Sequence, residues 1–208
     1  MSSTGGKAQR GITLIEVMVA IVVLSIGLLG MAGLQAATAK YQLNTLARSS
    51  TSILISDLSE RIRVNPDVAG TSFVQGVTAV SEYVIAGNWS MQQAANLTIT
   101  KNCDTAACTA SERATFDLLQ WRTKLRSTIP QGAALLEGTK RDGFIVTMMW
   151  MDKEQTVLSD NSDASSVRVL KKAPICNGAE SGMAQQSCCP NAAEAVVGVR
   201  CARFSFVP

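Results

Sequence analysis

From Ile12 to Leu34 the chain runs for 23 residues with one charge, Glu16, and from Val17 to Leu34 it has 18 residues with none. As a helix the longer run covers about 35 Å, enough to cross a hydrocarbon core of about 30 Å. Beyond Gln35 the pattern changes. Leu43, Leu46, Ala47, Leu54, Leu58 and Ile62 recur at helical spacing among Lys40, Arg48, Asp57, Glu60 and Arg61, which is the signature of an amphipathic helix. Asn65-Pro66 closes it, because a residue before proline is pushed out of the helical region. The pattern predicts one helix from about Thr13 to Val64, roughly 75–80 Å long. Its first part, 12–34, is apolar all round, and its continuation, 35–65, is amphipathic.

The remaining residues, 66–208, amount to one ordinary domain. Val77 to Ala86 and Leu97 to Lys101 are expected strands, and Thr109-Ala110-Ser111-Glu112 has the capping-box pattern that opens a helix. That helix carries Leu118, Trp121 and Leu125 inward and ends before Pro130. Phe144 to Met151 is apolar on both faces except at Thr147, so a central strand covered on each side is expected. Ser166 to Lys171 and Val196 to Val207 complete an expected antiparallel sheet. The class is α+β, with the long helix lying across that sheet.

Charge gives the apolar run a direction. Lys7 and Arg10 precede it and hold the N-terminus in the cytoplasm, so that everything after Leu34 lies outside. Glu16 is costly there, by about 2.5–3.5 kcal/mol at a membrane centre and less near an end, where it reaches the headgroups. A secretory signal, with Ala37-Thr38-Ala39 as its small-x-small cleavage site, is one reading, but the run exceeds the usual 7–15 residues and holds a carboxylate. A plain anchor leaves Glu16 unexplained. In the third reading, cleavage falls on the cytoplasmic side, between Gly11 and Ile12.

Gly11-Ile12-Thr13-Leu14-Ile15-Glu16 resembles the class III signal of type IV prepilins, with Ile12 where Phe is usual. The resemblance implies a dedicated aspartyl prepilin peptidase that removes residues 1–11 as a cytoplasmic leader and N-methylates Ile12. It makes Glu16 an assembly contact, since a buried carboxylate demands a partner and a neighbouring subunit's Ile12 amine supplies one. The gain from such a pair is register and recruitment more than stability. Gly27, Gly30 and Gly33 each lower helix stability by about 1 kcal/mol relative to Ala. They serve close helix packing or local melting in a filament, or are simply tolerated in a membrane helix. Many major pilins have proline where this chain has Gly33.

A second resemblance narrows the family. Cys108 with Asp117-Leu118-Leu119-Gln120-Trp121, then Ile129-Pro130-Gln131-Gly132, then Val146-Thr147-Met148-Met149-Trp150-Met151-Asp152 is similar to the PilV group of minor pilins, the type IV pilus modification proteins. Ile129 stands where Leu is usual, and residues 159–208 are less typical. On physical grounds Trp121 and Trp150 are core residues, while Asp117 and Asp152 are caps or turn residues without assigned chemistry.

Six cysteines, Cys103, Cys108, Cys176, Cys188, Cys189 and Cys201, in an exported region point to disulfides, with fifteen possible connectivities. Cys103 and Cys108 close a short local loop. Cys188 and Cys189 are not expected to pair with each other, so each reaches Cys176 or Cys201. Equal spacings of twelve residues, Cys176 to Cys188 and Cys189 to Cys201, suggest two loops, and the crossed arrangement stays open. By resemblance, this stretch corresponds to the variable disulfide region of pilins. Paired Cys-x-x-Cys knuckles are lacking, so no metal is expected.

The chain has no histidine, which removes Ser-His-Asp and Cys-His nucleophile systems along with histidine metal sites. Gly178-Ala179-Glu180-Ser181-Gly182 fails the nucleophile-elbow spacing, and Gly6-Lys7 is followed by Ala8, so no P-loop forms. Asn88-Trp89-Ser90 and Asn96-Leu97-Thr98 match the glycosylation triplet by chance. A net charge of +3 does not argue for nucleic acid. Lys171-Lys172 and Arg200 with Arg203 read as solvated basic surface.

The expectation is therefore a non-enzymatic minor pilin without a cofactor. It is made as a single-pass bacterial inner-membrane precursor, trimmed after Gly11, and assembled through 12–34 into an extracellular pilus or held in the periplasm. The resemblance implies a complex of minor pilins that primes assembly with the major pilin, sits at or near the tip and carries a large tip adhesin, in the service of adhesion and twitching motility. Alternatives are a type II secretion pseudopilin, a DNA-uptake or surface-binding minor pilin, and a signal-bearing secreted protein.

Overall fold

The computed structural model describes residues 13–70, 80–159 and 167–208, and the side chains of 40–48 lie outside that description. Two compact units result, 1–46 and 47–208. Helix α1 runs from Leu14 to Val64, within a residue of the expected bounds. It stops at Asn65, and Pro66 opens a short 3₁₀ turn, Pro66–Val68, the one helical position where a missing N–H costs nothing.

Within the second unit, the head, α1 buries Leu54, Leu58 and Ile62 and leaves Ile53 and Val64 in solvent, as the spacing of apolar residues requires. Helix α2 is Trp89–Ala94 and α3 is Ala110–Thr128. The capping box at the start of α3 is closed in both directions: Glu112 N–H donates to Thr109 Oγ1 at 3.2 Å and Thr109 N–H to Glu112 Oε2 at 2.8 Å. Trp121 and Leu125 of α3 are fully buried, with Leu118 half-buried against the same core.

Three strands form the main antiparallel sheet: β1 Ala133–Thr139, β2 Gly143–Met151 and β5 Val199–Phe206, in the order β1-β2-β5. As expected, β2 is central and covered on both faces. Phe144, Val146, Met148 and Trp150 meet α1 and α3 on one side. On the other, Met149 joins Trp89, Val199, Cys189 and Cys201. The β1–β2 turn depends on Gly138, at φ +118°, where an added Cβ would lie only 2.2 Å from the Gly143 carbonyl oxygen.

Three expectations about strands are corrected, and one strand is added to them. Ala133–Thr139 was not foreseen, because Ala-Ala and Glu-Gly are poor strand formers; pairing with β2 through a short turn imposes the conformation. Of the expected strand Val77 to Ala86, the part up to residue 79 lies outside the described residues. The remainder makes one bridge, in which Ile85 and Leu136 exchange two hydrogen bonds of 3.0 Å. Leu97 to Lys101 is not a strand, since Asn96 Oδ1 accepts from both the Thr98 N–H and its hydroxyl, a local turn that competes with pairing. Ser166 to Lys171 does not join the main sheet. Its described part holds β4, Arg168–Leu170, which pairs with β3, Thr156–Leu158, as a separate ribbon.

Candidate functional site: an exposed apolar helix and its stapled head

The sequence Thr13-Leu14-Ile15-Glu16 folds the start of α1 into a second reciprocal cap. Glu16 N–H donates to Thr13 Oγ1 at 3.4 Å, while the Thr13 N–H and hydroxyl donate to Glu16 Oε2 at 3.0 and 3.1 Å. Ser/Thr-x-x-Glu is a capping box, so this cap is carried by a signal four residues long. The cap gives Glu16 donors within its own chain. Gly11 and Ile12, the expected cleavage and methylation residues, lie outside the described residues.

After the cap, Leu14–Ala39 is a helix long and apolar enough to cross a membrane, and none of it is buried. Leu14, Leu29 and Leu34 are exposed by 78, 73 and 70 %. Aliphatic surface this continuous far exceeds what a monomer tolerates in water, so it is built to face lipid or other helices. Side chains added at Gly27, Gly30 or Gly33 would meet nothing within 4 Å. Nothing within the described chain therefore demands glycine at these positions.

The head holds α1 by a buried polar cluster. Trp121 Nε1 donates to the Leu54 carbonyl of α1 at 2.7 Å. Tyr83 hydroxyl donates to Asp117 Oδ2 at 2.9 Å and receives the Asn65 amide at 3.0 Å. Arg61 Nη1 donates to Asp117 Oδ1 at 3.2 Å and to Gln120 Oε1 at 3.0 Å. Asp117 is thus neither cap nor turn residue but the middle of an α1–α3 clasp. Burial pushes its carboxyl pKa up, partly offset by Tyr83 and Arg61. Burial likewise raises the Tyr83 hydroxyl pKa, so it stays protonated and able to donate. Asp152 keeps the turn role expected of it, accepting the Glu154 N–H at 2.9 Å, and also pairs with Arg200 Nε at 2.8 Å. Arg200 is therefore ion-paired and not free basic surface. Asn88 and Asn96 have structural uses: Asn88 caps α2 by accepting the Met91 N–H, and Asn96 forms the turn already described.

All six cysteines are paired: Cys103 with Cys108, Cys176 with Cys188, and Cys189 with Cys201. The last bond fastens the C-terminal loop to β5, and a parallel bridge between Ile175 and Cys189 lies beside it. Trp89, Ala193 and Ala195 pack under this stapled segment against Met149. The arrangement offers an apolar helix for assembly and a rigid oxidised head. Residues 6–32 match the family described as the prokaryotic N-terminal methylation motif, a span that includes Gly11, Ile12 and Glu16. Residues 33–119 match the family described as type IV pilin Tt1218. No curated protein and no solved structure matches the chain.

Proposed function

We propose, from the matches of residues 6–32 to the prokaryotic N-terminal methylation motif and of residues 33–119 to a type IV pilin family, a minor pilin of the PilV group that helps to prime pilus assembly at or near the tip. The motif implies processing by prepilin peptidase and assembly with other pilins. The single observation that carries the reading is the unburied apolar helix Leu14–Ala39, which begins with a capped carboxylate and continues into a disulfide-stapled head.

In this proposal Lys7 and Arg10 keep the leader in the cytoplasm, and peptidase cuts between Gly11 and Ile12. The retained apolar helix then leaves lipid for the equally apolar filament core. That transfer changes little hydrophobic energy, so specific contacts decide it. Glu16 is the specific contact: held at the first turn by Thr13, its carboxylate is placed to exchange that cap for the new amine of a neighbour's Ile12. The Asp117 clasp and the Trp150-Met151-Asp152 strand end support the narrower PilV assignment, because the residues that carry that resemblance also hold the head together. The protein is a structural subunit, with no catalytic step assigned to it.

Mass spectrometry of the N-terminal peptide of the mature protein tests this. N-methylated Ile12 is expected; a terminus at Lys40, produced by ordinary signal peptidase, overturns it.

A further inference from the structure

Asn177-Gly178 is the one asparagine-glycine pair in the chain, and both residues are exposed, between Cys176 and a short helix α4, Met183–Ser187. In such a pair the glycine nitrogen has no side chain beside it and can attack the asparagine side-chain carbonyl. The Gly178 nitrogen bonds to Asn177 Cγ and gives its proton to water, the Cγ–Nδ2 bond breaks and ammonia leaves. Water then opens the cyclic imide at either carbonyl, giving Asp or its β-linked isomer. No enzyme, metal or oxidant is needed. Asn88 and Asn96 precede Trp89 and Leu97, whose side chains hinder the same attack.

The loop opposes this closure. Glu180 turns back on the pair: the Asn177 N–H donates to Oε1 and Oε2 at 3.0 Å, and the Gly178 N–H donates to Oε2 at 3.0 Å. The Ala179 N–H donates to Asn177 Oδ1 at 2.8 Å, which ties down the carbonyl under attack. The Asn177 N–H foremost holds the Glu180 carboxyl below the usual range, so it stays ionised. Attack requires the Gly178 nitrogen to lose its proton, and doing so against a bonded carboxylate would set two anions in contact, which like-charge repulsion disfavours. Cys176–Cys188 closes the loop that contains Asn177, Gly178 and Glu180. We propose that Asn177 is a site of covalent self-modification that Glu180 holds in check, and that opening of the loop releases it. The Asp product sets a second carboxylate beside Glu180, and the β-linked product lengthens the backbone next to Cys176, so neither returns the loop to its original state.

The test follows conversion at residue 177 in the detergent-solubilised full chain at neutral pH, by peptide mapping and isoaspartyl methyltransferase labelling. A synthetic peptide of residues 172–187 carrying Cys176→Ser is the unguarded reference. With the three disulfides intact, conversion is expected to be at least about tenfold slower than in the peptide, the factor that one charge-assisted hydrogen bond represents. Glu180→Ala should bring the folded chain within about threefold of the peptide, and Glu180→Gln, which keeps an acceptor oxygen without the charge, should lie between. Cys176→Ser with Cys188→Ser should also convert faster than the natural chain. A natural chain that converts at the peptide rate overturns the proposal without any variant. Glu180 variants that are both as slow as the natural chain, or a double serine variant that is no faster, overturn it too.

Discussion

Glu16 has two claims on it, and two substitutions separate them. Gln accepts from Thr13 much as Glu does and preserves the capping box, but it cannot form an ion pair with an amine. If the pair drives recruitment, Glu16→Gln and Glu16→Ala both lose cross-linking to other pilins while processing at Gly11 continues. If the cap alone matters, the Gln variant behaves as the natural chain does. At Asp117 the relevant quantity is a pKa. Burial outweighs the Tyr83 and Arg61 contacts and raises it, so the native state holds a proton more tightly than the unfolded chain. Head stability therefore falls as pH rises through the window between the ordinary Asp value of about 3.9 and the raised native value, and is flat above it with respect to this group. A carboxyl-carbon NMR titration is expected to place the Asp117 midpoint above the ordinary value. The opposite holds for exposed Glu112, whose pKa is lowered first by Lys101 and then by the Thr109 N–H.

Helix α1 changes its environment along its length without changing its backbone. In the head, Leu58 is fully buried while Ile53, on the opposite side, is 66 % exposed. Leu58→Ala should cost about 2–5 kcal/mol through lost burial and a residual cavity, whereas Ile53→Ala should stay within about 0.5 kcal/mol. Thermal unfolding of the detergent-solubilised full chain measures both. Sequence reading caught this helix almost to the residue because its period is long and its stop is a proline. It caught β2 for a similar reason: Phe144 to Met151 is apolar at nearly every position, and a run that short fits a strand covered on both faces. It missed β1 and overcalled two strands because short segments take their conformation from whichever neighbour offers hydrogen bonds. Ala133 pairs with Met149, a contact written in neither segment alone.

At the scale of the head, three bonds divide the work. Cys176–Cys188 and Cys189–Cys201 each close a loop of twelve residues, worth about 3 kcal/mol apiece in the chain-entropy account. The second ends on β5, which pairs with β2 over eight residues. Replacing both Cys176 and Cys188 by Ser should therefore raise hydrogen exchange across 174–188 while β5 keeps its protection. Replacing Cys189 and Cys201 should expose the Met149 face as well. Equal loosening in both variants would show that the sheet gains nothing from its staple. Peptide mapping without reductant should first recover all three pairs from protein purified from the periplasm.

The sequence by itself determined the properties that depend on order along the chain. These are the long helix and its stop, the capping box that opens α3, the central strand, the six cysteines and the Gly-Ile-Thr-Leu-Ile-Glu start. Each rests on local periodicity or on a motif a few residues long, so no distant partner is needed to read it. Tertiary structure alone decided what depends on distant residues meeting. It made Asp117 the centre of a clasp with Arg61 and Tyr83, between 34 and 56 residues away. It chose two consecutive disulfide loops over the crossed ones, which equal spacing could not do. It also separated Arg200 from Arg203, giving the first the Asp152 carboxylate and the second no ion-pair partner among the described residues. Two arginines three positions apart look alike in sequence, and only the groups folded against them set their charges apart.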